Sequence, residues 1–281
     1  MNPFGERLAA AAAARGPLVV GIDPHLALLR DWGLPPDLGG LERFALTVVE
    51  ALGDRVAVLK PQSAFFERFG SRGIAVLERL LAAVRDAGAL SLLDVKRGDV
   101  GSTTAGYAAA YLDPASPLAA DAMTASPYLG FGSLDPLLEA AYGHGRGVFV
   151  LALTSNPEGA AVQRATGPDG RTVAQAVLDS AAAANAAELA RTGGPLGSVG
   201  VVVGATVGGH GHRLEHLRGP VLAPGLGAQG ATPADLPAVF GRALPLVLPA
   251  VSREVLAAGP DPAALRAATA RLTAAVHSIG R

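Results

Sequence analysis

A closed (β/α)8 TIM-type barrel is the fold this sequence predicts, and three observations predict it. Eight short apolar runs, each rich in Val, Leu or Ala and followed by a turn signal, recur through the 281 residues. Stretches with helical periodicity lie between them. The runs themselves are almost wholly apolar, as strands buried on both faces of a parallel sheet must be. An open doubly wound sheet alternates in the same way, but eight repeats in this length favour closure into one barrel domain over residues 1–281.

In order, the runs are Leu18–Asp23, Val56–Gln62, Leu90–Lys96, Ala120–Ser126, Val148–Thr154, Val199–Thr206, Val221–Gly227 and Leu246–Ser252. Among the helical stretches, Gly73–Ala87 has the clearest stripe, with Ile74, Leu77, Leu80, Leu81 and Val84 on one face. Leu134–Tyr142, Arg171–Arg191, Asp235–Gly241 and Ala263–Ile279 are the others. No low-complexity linker divides the chain; the polar Gln163–Gly170 and the Gly-rich Gly204–Pro220 each fit a loop after a strand.

Composition narrows the function. A net charge of −1 argues against a nucleic-acid or polybasic membrane binder. The absence of cysteine excludes disulfide scaffolds, zinc–thiolate sites, iron–sulfur clusters and cysteine nucleophiles. The first residues carry Glu6 and Arg7 and no signal-peptide core, and the longest uncharged run, Thr192–His212, is broken by glycines. A soluble cytoplasmic protein is the expectation. Of 23 basic residues only Lys60 and Lys96 are lysines. In so arginine-rich a chain, a lysine persists where a compact, proton-donating charge is needed, or as an ordinary surface residue; position decides.

Polar residues gather at one end of the runs. Asp23, Lys60 with Gln62, Asp94 with Lys96, Ser126, Thr154–Asn156, Thr206, Gln229, and Ser252 with Arg253 stand at or just past the C-terminal ends. In a barrel those ends converge on one mouth, where this fold builds its active sites. In LLDVKRGDVGSTTAG, Asp94 and Lys96 are two residues apart, on one face of a strand and within ion-pairing reach. Asp99 follows beyond the strand, and Lys60 arrives from the neighbouring one. Such alternating charges in a desolvated mouth are costly unless paired, so they read as functional, with a structural ion-pair network as the alternative.

The loop PGLGAQG contains Gly225, Gly227 and Gly230 in a G-x-G-x-x-G spacing. It lies too late in the chain, and without the acidic residue ~20 positions on, to be a dinucleotide fingerprint. Its backbone amides, Gly227 among them, together with Arg253 suit a phosphomonoester between the last two loops. TSNPE at Thr154–Glu158 reads as a helix cap. His210, His212 and His216 lack a legible third metal ligand and read as a solvated loop, His25 as a border of the site, and Trp32 as packing.

With these residues in view, the chain closely resembles the orotidine 5′-phosphate decarboxylase family, in particular its longer bacterial branch. The resemblance rests on GIDPH, VLKPQSAFFERFG, LLDVKRGDVGSTTAGYA, SPYLG, TSNPEG, VVVGAT, PGLGAQG and VSRE, in order over about residues 21–254. Where that branch often shows KTSNP, this chain reads LTSNP at 153–157. The resemblance implies a catalytic array of Lys60, Asp94, Lys96 and Asp99, without metal or other cofactor. It implies that Asp23 binds the ribose, Ser126 the pyrimidine, and Gln229 and Arg253 the phosphate of orotidine 5′-monophosphate. It also implies a homodimer in which Asp99 and Thr103 serve the other subunit's site. A metal-dependent sugar-phosphate decarboxylase or aldolase of the same superfamily, which would carry an acidic residue in place of Lys60, and a non-catalytic phosphate-ligand sensor are the rival readings.

Overall fold

The computed structural model describes residues 2–208, 211–227 and 230–279. Its strands are β1 (Val19–Ile22), β2 (Val58–Pro61), β3 (Leu90–Arg97), β4 (Ala122–Ala125), β5 (Gly147–Leu153), β6 (Val199–Val203), β7 (Val221–Pro224) and β8 (Val247–Val251). They close in chain order, each parallel to the next, with β8 pairing back onto β1 through Val19–Ala250 and Val20–Val251. Each falls within its apolar run, save that β3 extends one residue past Lys96 and β5 starts one residue before Val148.

The helices are α1 (Phe4–Arg15), α2 (Leu26–Asp31), α3 (Leu38–Leu52), α4 (Ala64–Glu67), α5 (Gly70–Asp86), α6 (Gly101–Tyr111), α7 (Asp135–His144), α8 (Ala160–Gln163), α9 (Val173–Thr192), α10 (Leu236–Phe240), α11 (Arg253–Leu256) and α12 (Pro262–His277). Three start at side-chain caps that take up otherwise orphaned amides: Asp37 accepts from Gly40, Thr172 from Gln175 and Asp261 from Ala263. Trp32 is packing, as expected. Its ring lies 4.2 Å from that of Phe44, and its Nε1 donates to the Leu256 carbonyl at 2.8 Å.

The period-two geometry of the strands sorts the core into two layers. Val20, Leu59, Leu93, Met123, Val150 and Val201 face outward and pack beneath the helices. Val19, Val58, Leu92, Ala122, Phe149, Val202, Leu222 and Leu248 fill the barrel interior. The N-terminal end of that interior is closed by α1, whose Phe4 meets Phe149 edge-on at 6.0 Å. Arg7 and Arg146 hold Asp121 there at 2.7 and 2.9 Å. Stepping two residues from the inward layer toward the strand C-termini leads from Val58 to Lys60, from Leu92 to Asp94 and from Ala122 to Thr124. The same alternation that buries an apolar plug therefore delivers polar side chains to the mouth.

Candidate active site

A cavity of about 510 Å3 opens at the C-terminal ends of the strands. Asp23, Lys60, Asp94, Lys96 and Arg253, five of the residues singled out in the sequence, line it. Asp94 is its electrostatic centre. Its Oδ1 accepts from Lys96 Nζ at 2.6 Å and from the Thr124 hydroxyl at 2.8 Å, and its Oδ2 faces Lys60 Nζ at 3.3 Å. With its amide turned to satisfy both ends, Gln62 donates to the same Oδ2 at 3.0 Å and to the Asp94 carbonyl at 2.7 Å. Lys60 also lies 4.0 Å from Asp23, so charges alternate around the mouth.

Burial opposes the Asp94 carboxylate, but Lys60, Lys96 and the hydrogen bonds from Lys96 and Thr124 outweigh it and push it down to about 2. Burial likewise disfavours the Lys60 ammonium, yet Asp23 and Asp94 outweigh it and hold the amine above its ordinary range. The Asp94 contribution to stability is therefore complete above the ordinary carboxylate range and lost as pH falls through about 2. The Lys60 contribution is complete below the ordinary lysine range and lost only as pH rises beyond it. Both stay charged throughout the neutral range.

The two lysines are not equivalent. The Lys60 side chain is 10% exposed and locked between two carboxylates, whereas that of Lys96 is 45% exposed and open to a ligand. Lys96 does not sit on a regular strand, as its spacing from Asp94 suggested. Its φ is 47°, and the β3–β4 register shifts between Leu93 and Arg97. The bulge turns Lys96 into the cavity while its ammonium folds back to Asp94.

Other expectations need correction. Ser126 lies just past β4 and does not line the cavity; its amide donates to the Arg97 carbonyl at 2.9 Å. Thr154, Ser155 and Asn156, read as a helix cap, line the cavity instead, and the short turn after them has no side-chain cap. Gly227 offers no amide to a phosphate, since that N–H donates to the Ala231 carbonyl at 2.7 Å. Gly230 and Ala231 donate back to Gly227 and Gly225, so the described part of the loop closes on itself. Glycine is needed at 227 because φ is 76° and a Cβ would fall on the Glu254 side chain.

Gln229 and His210 lie outside the described residues. His212 contacts the Thr172 hydroxyl at 2.8 Å, tying the loop after β6 to the start of α9, and neither His212 nor His216 lies on a helix. Among the described residues no three His, Asp or Glu side chains gather in a way that could hold a metal ion.

Asp99 and Thr103 stand outside the cavity of their own chain. Asp99 makes no ion pair with Lys96 and accepts from the Val100 amide at 2.8 Å, and Thr103 is exposed on α6. Thr124 also lines the cavity, and no motif marks it; its place two residues beyond inward Ala122 is the one signal for it in the sequence. Two buried atoms at the mouth, Asp23 Oδ1 and Ser252 Oγ, have no hydrogen-bond partner among the described residues, and both side chains line the cavity.

A closed parallel barrel with a concave, charge-alternating mouth at its strand C-termini defines an enzyme of the (β/α)8 class. Within that class, the chain belongs to the orotidine 5′-phosphate decarboxylase / HUMPS family, whose model matches residues 16–268. An orotidine 5′-phosphate decarboxylase of Salinispora arenicola is 67% identical over 274 residues, covering 98% of this chain and 97% of that one. The one from Streptomyces coelicolor is 59% identical, covering 99% and 98%. A crystal structure from Streptomyces avermitilis, provisionally assigned the same activity, superposes with a TM-score of 0.95 at 59% identity over 99% of this chain and 96% of that one. The structure of Leishmania donovani OMP decarboxylase matches with a TM-score of 0.75 at 31% identity, covering 99% and 98%.

Proposed function

We propose that this chain converts orotidine 5′-monophosphate to UMP and CO2, using Lys60, Asp94 and Lys96 with Asp99 of the partner subunit. The observation that carries this reading is the open ammonium of Lys96, held at 2.6 Å by a carboxylate that is itself fixed by Lys60 and Thr124. When the bond between C6 and the carboxylate carbon breaks, CO2 departs and the electron pair stays on C6. The pyrimidine ring delocalises that pair poorly, so a preorganised cation beside it supplies the stabilisation. The Lys96 N–H bond then breaks, its proton forms the new C6–H bond, and the neutral amine regains a proton from water. Asp94 crowds the departing carboxylate, which raises the ground state toward bond breaking.

The remainder of the cavity suits the remainder of the substrate. Asp23 Oδ1 and Ser252 Oγ, which lack a hydrogen-bond partner among the described residues and lie at the barrel rim, suit ribose hydroxyls. The base contact expected of Ser126 passes to the hydroxyls of Thr154 and Ser155, which do line the cavity. Arg253 lines the cavity, makes no ion pair among the described residues and suits the phosphate, a role the family resemblance also gives to Gln229. Lys60 also separates this reading from a metal-dependent sugar-phosphate lyase: it places an ammonium 3.3 Å from Asp94, where a divalent ion would favour a carboxylate.

The position of Asp99 outside its own chain's cavity supports a homodimer. The loops after β3 and β4 expose Val100 at 55%, Tyr128 at 78% and Leu129 at 52%, an apolar rim beside Asp99 and Thr103 that a second copy would cover. No helix among the described residues is long and apolar enough to cross a membrane.

Loss of ultraviolet absorbance when orotidine 5′-monophosphate is added to EDTA-treated protein tests the assignment, with UMP as the expected product. An unchanged spectrum would overturn it. The phosphate contact has its own test. Arg253→Ala should lose about 10- to 100-fold more efficiency on the nucleotide than on the nucleoside, because only the nucleotide carries the dianion. Equal losses on both would assign Arg253 to folding.

A further inference from the structure

We infer that Thr124 is a positioning residue for Lys96, its hydroxyl clamping the β3 bulge that turns the lysine into the mouth. The inference rests on the decarboxylase reading and deepens it. A threonine hydroxyl has one donor and two acceptor positions. At Thr124, which is only 1% exposed, protein groups take up all three. Oγ1 accepts from the Val95 amide at 3.0 Å and from the Lys96 amide at 2.9 Å. An ionised carboxylate can only accept, so the remaining 2.8 Å contact fixes the hydroxyl proton on Asp94 Oδ1.

Consecutive amides on a regular strand point to opposite edges, and no single acceptor can serve both. Here they converge because Lys96 has a φ of 47°, a conformation that favours glycine and that a lysine keeps only when its surroundings hold it. The same twist breaks the regular ladder between Leu93 and Arg97, and within that break the Thr124 side chain accepts from both amides. One hydroxyl thus fixes the backbone of the proposed proton donor and one oxygen of the carboxylate that orients its ammonium. The neighbouring inward positions at the same mouth are apolar, Leu151 on β5 and Val202 on β6. Filling space does not require a hydroxyl at 124; holding the bulge does.

Thr124→Val, close in shape but unable to accept or donate, and Thr124→Ser, which keeps the hydroxyl, separate the two roles. With orotidine 5′-monophosphate as substrate, Thr124→Val should lower kcat about 10- to 100-fold and leave KM within about threefold, since the misplaced groups act on the reacting centre. Thr124→Ser should stay within about threefold of wild type in both. Amide hydrogen exchange gives a readout independent of turnover. Protection of the Val95 and Lys96 amides should fall at least about tenfold in Thr124→Val and persist in Thr124→Ser.

Wild-type kcat in Thr124→Val, equal losses in the two variants, or unchanged protection of both amides would overturn the clamp. If Thr124→Val does not fold, Thr124→Ala removes the same hydroxyl and carries the same expectations. A wild-type protein that releases no CO2 would overturn the decarboxylase reading and its kinetic corollary, while the exchange comparison would still decide the clamp.

Discussion

Lys96→Ala protein is expected to bind UMP within about tenfold of wild type and to lose at least about 10^4-fold in kcat. The size of the loss follows from two roles carried by one ammonium. It stabilises the developing C6 carbanion, and it supplies the proton that quenches it. Neither role is expressed in the product complex, so affinity for UMP should hardly respond. The substitution is also mild for the fold, because the Lys96 side chain is 45% exposed and Asp94 keeps Lys60, Thr124 and Gln62 as partners. Single-turnover measurements on Lys96→Ala, with UMP binding followed by calorimetry, check both halves. Retention of wild-type turnover would remove Lys96 from the mechanism.

Mixing two inactive variants should restore activity. Asp99 lies beyond the bulge, and among the described residues its carboxylate accepts from the amide of Val100 and forms no ion pair with its own Lys96. If it completes the site of the partner subunit, Lys96→Ala and Asp99→Ala proteins are each inactive as homodimers. In a mixed dimer one site carries both lesions and the other carries neither. Random reassortment makes half of the dimers mixed, each with one intact site, so about a quarter of wild-type activity should return. Exchange of subunits confirmed by mass spectrometry, without recovery of activity, would mean that Asp99 serves its own chain.

The barrel was legible because a closed parallel sheet buries both faces of every strand, and that leaves eight apolar runs rich in Val, Leu or Ala, each followed by a turn signal. Lys60 and Asp94 were legible for a related reason: each stands two residues beyond an inward apolar position, where an unpaired charge would be costly. The geometry of Lys96 was not. A spacing of two residues predicts a shared strand face, and nothing in DVKRGD announces a left-handed residue held by a hydroxyl from another strand.

Helix α1 escaped for the opposite reason to the strands. Its run of alanines carries no stripe, and its place is set by Phe4 and Arg7 meeting residues more than a hundred positions away. The glycine loop misled in another way. Glycines that seemed placed to expose amides to an anion instead let the chain turn back on itself and let Glu254 approach. Ser126 and Ser155 could not be told apart as single serines at strand ends; only the path of each loop decides which one faces the cavity.

In the proposed mechanism, protein charges alone break the bond to C6 and reprotonate that carbon. Incubating EDTA-dialysed wild-type protein in D2O with orotidine 5′-monophosphate that carries carbon-13 in its carboxyl group tests this. Labelled CO2 and UMP should form in equal amounts, with a single deuterium at C6 of the UMP. Label that stays on the nucleotide, or that is released only when a divalent metal is restored, would rule that mechanism out.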